Sequence, residues 1–170
     1  MSYPQGNLDF TYSGTDADAF PQPGTVVPTS DGKKMVCVIN KGADAIAAAD
    51  AVGVFTTAAR GHVSVTDATM FEVVDGTTPT LTAKAFSGVA VGAIAAGAYG
   101  WLIGQGFCPS DTVTTDGSVI SGGGLVLKDA TKTFLSPAIA SSQLSVGYAL
   151  AADASTTLTG FVIEKSAFLY

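Results

Sequence analysis

Histidine, arginine, glutamate and cysteine are nearly absent from this 170-residue chain. It has one histidine, His62, one arginine, Arg60, two glutamates, Glu72 and Glu164, and two cysteines, Cys37 and Cys108. A single imidazole excludes a metal site built on histidines, and a mixed site would need both cysteines to converge on it. His62 lies in the alternating run 62–66, which reads as an ordinary strand. Any Ser-His-Asp triad would have to use His62, and no G-x-S-x-G elbow is present. Two cysteines without C-x-x-C spacing are too few for a disulfide framework, and read as small buried hydrophobes in a reducing compartment.

Charge is also scarce. Only 13% of residues are charged, with eight Lys+Arg against fourteen Asp+Glu, for a net charge of -6. A typical soluble domain has about twice that charged fraction. The lysines are scattered apart from Lys33-Lys34, so no basic surface exists for a phosphate backbone, and nucleic acid is not an expected partner. Long apolar runs are missing too. Hydrophobic residues make up 47% of the chain and mean hydropathy is +0.39, which argues against disorder. Yet the richest stretch, 88–103, is broken by Gly92, Gly97 and Gly100. It falls short of the roughly 20 apolar residues of a membrane helix. Residues 1–6 have neither a positive n-region nor an apolar h-region, so no secretory signal is expected.

What is present favours strands. Threonine, valine and glycine abound, and strong surface helix formers are few. Met35, Val36, Cys37, Val38 and Ile39 form a continuous apolar run ending at the turn signal Asn40-Lys41-Gly42. Further strands are expected within 52–57, 62–66, 71–74, 84–91, 101–108, 118–120, 125–128, 147–150 and 158–164. Residues 43–51 fit a short helix or a loop. Strands every 8–12 residues with turn signals between them predict a mainly β fold. The expected form is a compact β-sandwich or β-barrel, β-tulip-like, with little helix. A short internal echo joins 45–48 to 93–96: Ala-Ile-Ala-Ala occurs in both.

Residues 1–32 read as an extended N-terminal arm, and 33–170 as the β-rich domain. Pro4, Pro21, Pro23 and Pro28 punctuate the arm and disfavour a regular helix or central strand. It also carries Tyr3, Phe10, Tyr12 and Phe20, more aromatic rings than a plain linker needs. These rings either pack on their own domain or dock on a neighbouring subunit or partner.

Catalytic constellations do not emerge. Gly122-Gly123-Gly124 lacks the Lys-Ser/Thr of a phosphate loop, and Gly104-Gln105-Gly106 lacks a third glycine and a following helix. Asp16 with Asp18, and Asp111 with Asp116, are the acid pairs able to hold a hard cation, but neither fits an EF-hand. They read as solvated loop acids, so no catalytic residue, metal or cofactor is expected. High apolar content with little charge instead suggests large buried interfaces.

Three segments carry a resemblance. They are 86–102 (FSGVAVGAIAAGAYGWL), 115–127 (TDGSVISGGGLVL) and the pair 146–150 (VGYAL) with 159–163 (TGFVI). Together, over about 84–164, they resemble the small β-rich capsid decoration (cement) proteins of tailed bacteriophages. The resemblance implies a non-enzymatic virion protein on the outer surface of an assembled icosahedral capsid. Such a protein bridges capsomers, as a homotrimer, with the major capsid protein as partner and no membrane involved. It would be made in the host cytoplasm. The resemblance also implies an arm that contacts the capsid, anchored here by Tyr3, Phe10, Tyr12 and Phe20. The Ala/Gly-rich stretch is the expected subunit interface, with Val89, Val91, Ile94 and Tyr99, unless those residues pack within one subunit. Trp101 is expected in the core. Alternatives are a tail, neck, fibre-base or shell subunit of a virion, or a small β-barrel carbohydrate-binding module.

Overall fold

A computed structural model describes residues 8–40, 44–49, 51–54, 72–75, 86–108, 113–114, 119–127, 134–135, 145–152, 157–158 and 160–164. The expected strand around His62 and the residues Tyr3, Asp111 and Asp116 lie outside that set. The described chain is mainly β, as its composition predicts. Its helical content is one 3-10 turn at Ala17–Ala19.

The strands in chain order are β1 Val26–Pro28, β2 Lys34–Asn40, β3 Ala51–Val54, β4 Glu72–Asp75, β5 Phe86–Ala90 and β6 Tyr99–Cys108. They continue with β7 Val113–Thr114, β8 Gly124–Leu127, β9 Phe134–Leu135, β10 Gly147–Ala149, β11 Thr157–Leu158 and β12 Phe161–Ile163. Ten of them join in the order β1-β2-β4-β3-β5-β6-β12-β10-β8-β9, and β2 also pairs with β6. The ladders β2–β4, β4–β3, β3–β5, β5–β6 and β6–β2 therefore return to their starting strand. All are antiparallel except β2–β4.

β2 is central because its residues are apolar on both faces. Met35 and Cys37 enter one buried cluster and Val36 and Val38 the other. β6 does the same, with Trp101 and Ile103 on the first side and Leu102 on the second. A strand buried on both faces reads as a continuous hydrophobic run rather than an alternation. Each fully buried Val, Leu or Ile stabilises the fold by roughly 1.5–3 kcal/mol. The larger cluster extends through Cys108, Leu125, Val146, Ala149, Phe161 and Ile163, and so binds the C-terminal strands to the N-terminal ones.

One open reading closes and one expectation changes. Within 43–51, residues 44–49 form a loop and turn, the second of the two forms the sequence allows, held by an isolated bridge between Ile46 and Ile94, and Ala51 opens β3. Val119 and Ile120 lie outside any strand and lead into the turn at Ser121-Gly122. The first is buried and the second exposed, so they alternate as strand residues do without forming a ladder.

The echo noted in the sequence is paired with itself. Ile46 and Ile94 exchange both backbone hydrogen bonds, at 2.9 and 2.8 Å. Ala49 N–H donates to Ala90 O at 2.8 Å, and Gly97 N–H donates to Asn40 O at 2.8 Å. Ala49 and Gly97 both sit in the left-handed region, at φ 66° and 74°. β3 opposes β5 with Ala51 on Val89, as β6 opposes β2 with Tyr99 on Ile39. The units β2-turn-β3 and β5-turn-β6 are thus two interlocked copies of one strand-turn-strand arrangement, related by an approximate local two-fold through the isoleucine bridge.

Candidate functional site

Among the described residues, no group of three or more His, Cys, Asp and Glu side chains is placed to hold a metal. Cys37 and Cys108 are both free and buried. Burial pushes each thiol up to about 12, which removes the thiolate that a nucleophile or ligand needs. The Cys37 thiol instead donates to Pro21 O at 3.3 Å. Asp16 caps the 3-10 turn, its carboxylate accepting from Asp18 N–H at 3.0 Å. No described helix is long and apolar enough to cross a membrane.

The geometry that stands out is the seating of the N-terminal segment. It is not extended throughout. Asp9 opens a turn, accepting from Thr11 N–H at 2.9 Å and the Thr11 hydroxyl at 2.6 Å. These bonds, the hydroxyl's above all, hold the Asp9 carboxyl below its usual range. Such side-chain bonding two residues onward is the ordinary Asx-turn device. The turn lays Phe10 edge-on against Trp101, with centroids 5.0 Å apart at 89°. Tyr12 stacks on Phe20 at 5.5 Å, and Phe20 stacks on Tyr99 at 5.6 Å. Aromatic pairs of this kind contribute about 0.5–1.5 kcal/mol each beyond the area they bury.

Main-chain contacts fix the register. Gly14 and Tyr99 exchange hydrogen bonds at 3.2 and 2.8 Å. The Ser13 hydroxyl donates to Ala93 O at 2.6 Å. Gly92 is a notch for the arm, since a Cβ there would stand 2.4 Å from Thr11 O. Beyond Phe20 the chain is bound to β2. Gly24 N–H donates to Cys37 O, Cys37 N–H donates to Thr25 O, and β1 pairs with β2. Pro28 is tolerated because β1 is an edge strand.

The structure therefore brings Phe10, Tyr12 and Phe20 together with Tyr99 and Trp101 on their own domain. Phe20 is only 5% exposed, whereas Tyr12 is 53% exposed. Of the expected interface residues, Val89 and Ile94 are each 1% exposed, so their side chains belong to the chain's own core rather than to an outer surface. Val91 and Tyr99 are partly buried against the larger cluster. Trp101 is in the core as expected.

A second surface forms at the far end of β6. Phe107 is 41% exposed, Leu150 46% and Ile120 58%. Phe107 and Leu150 converge over Gly160, whose carbonyl accepts from Leu150 N–H. Ser121, next to Ile120, donates to Leu150 O at 3.1 Å. Sequence reasoning missed this surface because all three residues fall in segments that read as strands. It also missed Asn40, which reads as a turn residue. Asn40 is fully buried, and its amide donates to Asp44 O, Ile94 O and Ala95 O. No protein-family model matches the sequence, and no curated protein matches it.

Proposed function

We propose that this chain is an accessory virion structural protein that binds the outer surface of an assembled icosahedral capsid and stabilises it by bridging capsomers, as a homotrimer. It acts by contact and carries out no chemistry. The single observation that supports a bridging role is the pair of exposed apolar surfaces at opposite ends of one long strand. Leu8 and Tyr12 lie near the Tyr99 end of β6, while Phe107, Ile120 and Leu150 lie at the other end. Tyr99 and Phe107 are eight residues apart, about 27 Å at the rise of an extended strand. A protein that ties two neighbours together needs two such faces on a rigid body, and linked weak contacts gain strength through effective concentration. The resemblance of segments 86–102, 115–127, 146–150 and 159–163 to decoration proteins points to a capsid as the surface bridged.

The test is co-sedimentation of the purified chain with empty shells of the phage that encodes it, beside a Phe107→Ser/Leu150→Ser variant. The expected result is saturable binding by the native chain and at least tenfold weaker binding by the variant, which stays folded at the assay temperature by circular dichroism. No binding by the native chain refutes the capsid role. Equal binding by both refutes the part given to the Phe107 surface.

A further inference from the structure

We infer that residues 8–14 are an exchangeable peptide, and that the seat they occupy on Phe20, Gly92, Ala93, Tyr99 and Trp101 accepts the same peptide from a second copy of this chain. This goes beyond capsid binding and does not depend on it.

The seat and the peptide are joined by a piece that holds neither. Residues 15–19 are all exposed. Their hydrogen bonds to described residues stay within 16–20: Asp18 N–H to the Asp16 carboxylate, Ala19 N–H to Asp16 O, and Phe20 N–H to Ala17 O. On one side of this connector, Phe20 and Pro21 are fixed to the body by the Tyr99 stack and the Cys37 thiol. On the other side, among the described residues, the hydrogen bonds and ring contacts of Phe10 to Gly14 that reach the body end on Phe20 or on residues 92–101.

Gly14 and Phe20 both lie against Tyr99, with the Phe20 ring 3.6 Å from a Cβ built on Gly14. The connector is therefore an out-and-back loop. A 3-10 turn rises only about 2 Å per residue. Straightened, the five residues reach about 17 Å, enough to carry the peptide to an adjacent molecule. The contacts made there would be the ones made within a single chain, so exchange loses no contact and costs only association entropy. Copies held side by side bear little of that cost, which is the general route to swapped assemblies.

The decisive experiment uses full-length chains and a short bis-maleimide. One set carries Ser13→Cys on the peptide and the other Ala93→Cys on the seat, two residues in direct contact. The native Cys37 and Cys108 are buried and stay silent. The peptide-bearing set also carries Asp18→Pro/Ala19→Pro, which removes the Ala19 N–H bond and disfavours the turn conformation before each proline. The two sets are mixed at about 1 mM, near the effective concentration of a short tether.

The expected result is linked dimers of unlike copies, reduced at least tenfold when Gly92→Val closes the seat of the Ala93→Cys set. Phe10→Ala on the peptide set, which leaves the seat unaltered, lowers the yield in the same direction. Linking that is absent, or no greater than with the closed seat, overturns the inference.

Discussion

The interlocked units make an asymmetric prediction at their two turns. Gly97 and Ala49 occupy equivalent left-handed positions, but only one is glycine. Holding a non-glycine residue there costs about 1–2 kcal/mol. Alanine recovers roughly 0.4–1 kcal/mol by restricting the unfolded chain. No atom lies within 4 Å of a Cβ built on Gly97, so Gly97→Ala carries no steric term and should destabilise by about 1 kcal/mol. Ala49→Gly reverses both terms and also loses a half-buried methyl packed on the larger cluster. At ~0.8 kcal/mol per buried CH2, that loss is about 0.4 kcal/mol, leaving a net gain of about 0.5 kcal/mol. Adding Asp44→Gly makes 44–49 identical to 92–97, and the fold should be retained. Urea unfolding is the assay, with the midpoint moving in opposite directions for the two single variants and the slope constant. Midpoint shifts of the same sign, or a neutral Gly97→Ala, would refute the equivalence of the turns.

Other outcomes follow from named contacts. Asn40→Ala should cost about 1–3 kcal/mol, because the Asp44 carbonyl loses the amide, while those of Ile94 and Ala95 lose one donor and keep the N–H groups of Ile46 and Ala98; urea unfolding reads the loss. Gly100→Ala should cost about 1–3 kcal/mol, since its Cβ would stand 2.6 Å from the Ile94 side chain; the thermal midpoint should fall accordingly. Cys37 and Cys108 should resist a thiol reagent at pH 8 in the native chain and react once it is unfolded. Both thiols are raised from 9.0 to about 12 by folding. Between those values the unfolded chain binds fewer protons, so stability should fall as pH rises above about 9 and be unaffected by the thiols below it; urea midpoints across pH 8–11 check the sign.

How much of this was legible depended on whether a feature is local. Met35 to Ile39 announces β2 because a strand buried on both faces leaves an uninterrupted apolar run. The sequence reads a strand within 101–108, and β6 starts two residues earlier, at Tyr99, as one ten-residue strand. Gly100 sits there to admit Ile94 and Gly106 to meet Lys33, and both partners are distant along the chain. Proline argued rightly against a central strand before residue 32, and β1 is at an edge. The aromatic content of the arm signalled packing but not its direction; only the tertiary pairing with Tyr99 and Trp101 decides that. Exposure at Phe107 and Ile120 carries no local signal, since apolar residues read as buried wherever they occur.

The internal duplication also explains why the arm has one seat and not two. Carrying the turn equivalence forward, Tyr99 and Trp101 of β6 correspond to Ala51 and Gly53 of β3. Both strands begin at equivalent positions, so the comparison needs no gap. The first unit therefore has alanine and glycine in sequence where the second has two large aromatic residues. Gly92, which admits the Thr11 backbone, corresponds to Asp44, whose side chain would fill the notch. The preceding strands differ as well: Asn40, whose amide secures the 94–97 turn, corresponds to Ala90, which has no polar group to give back. Symmetric backbone pairing builds the scaffold, and the side-chain differences between its halves confine the N-terminal peptide to one of them. Introducing aromatic residues at 51 and 53 would not by itself create a second seat, because Asp44 would still block the notch; only the combination with Asp44→Gly restores the backbone approach that the Gly92 side allows.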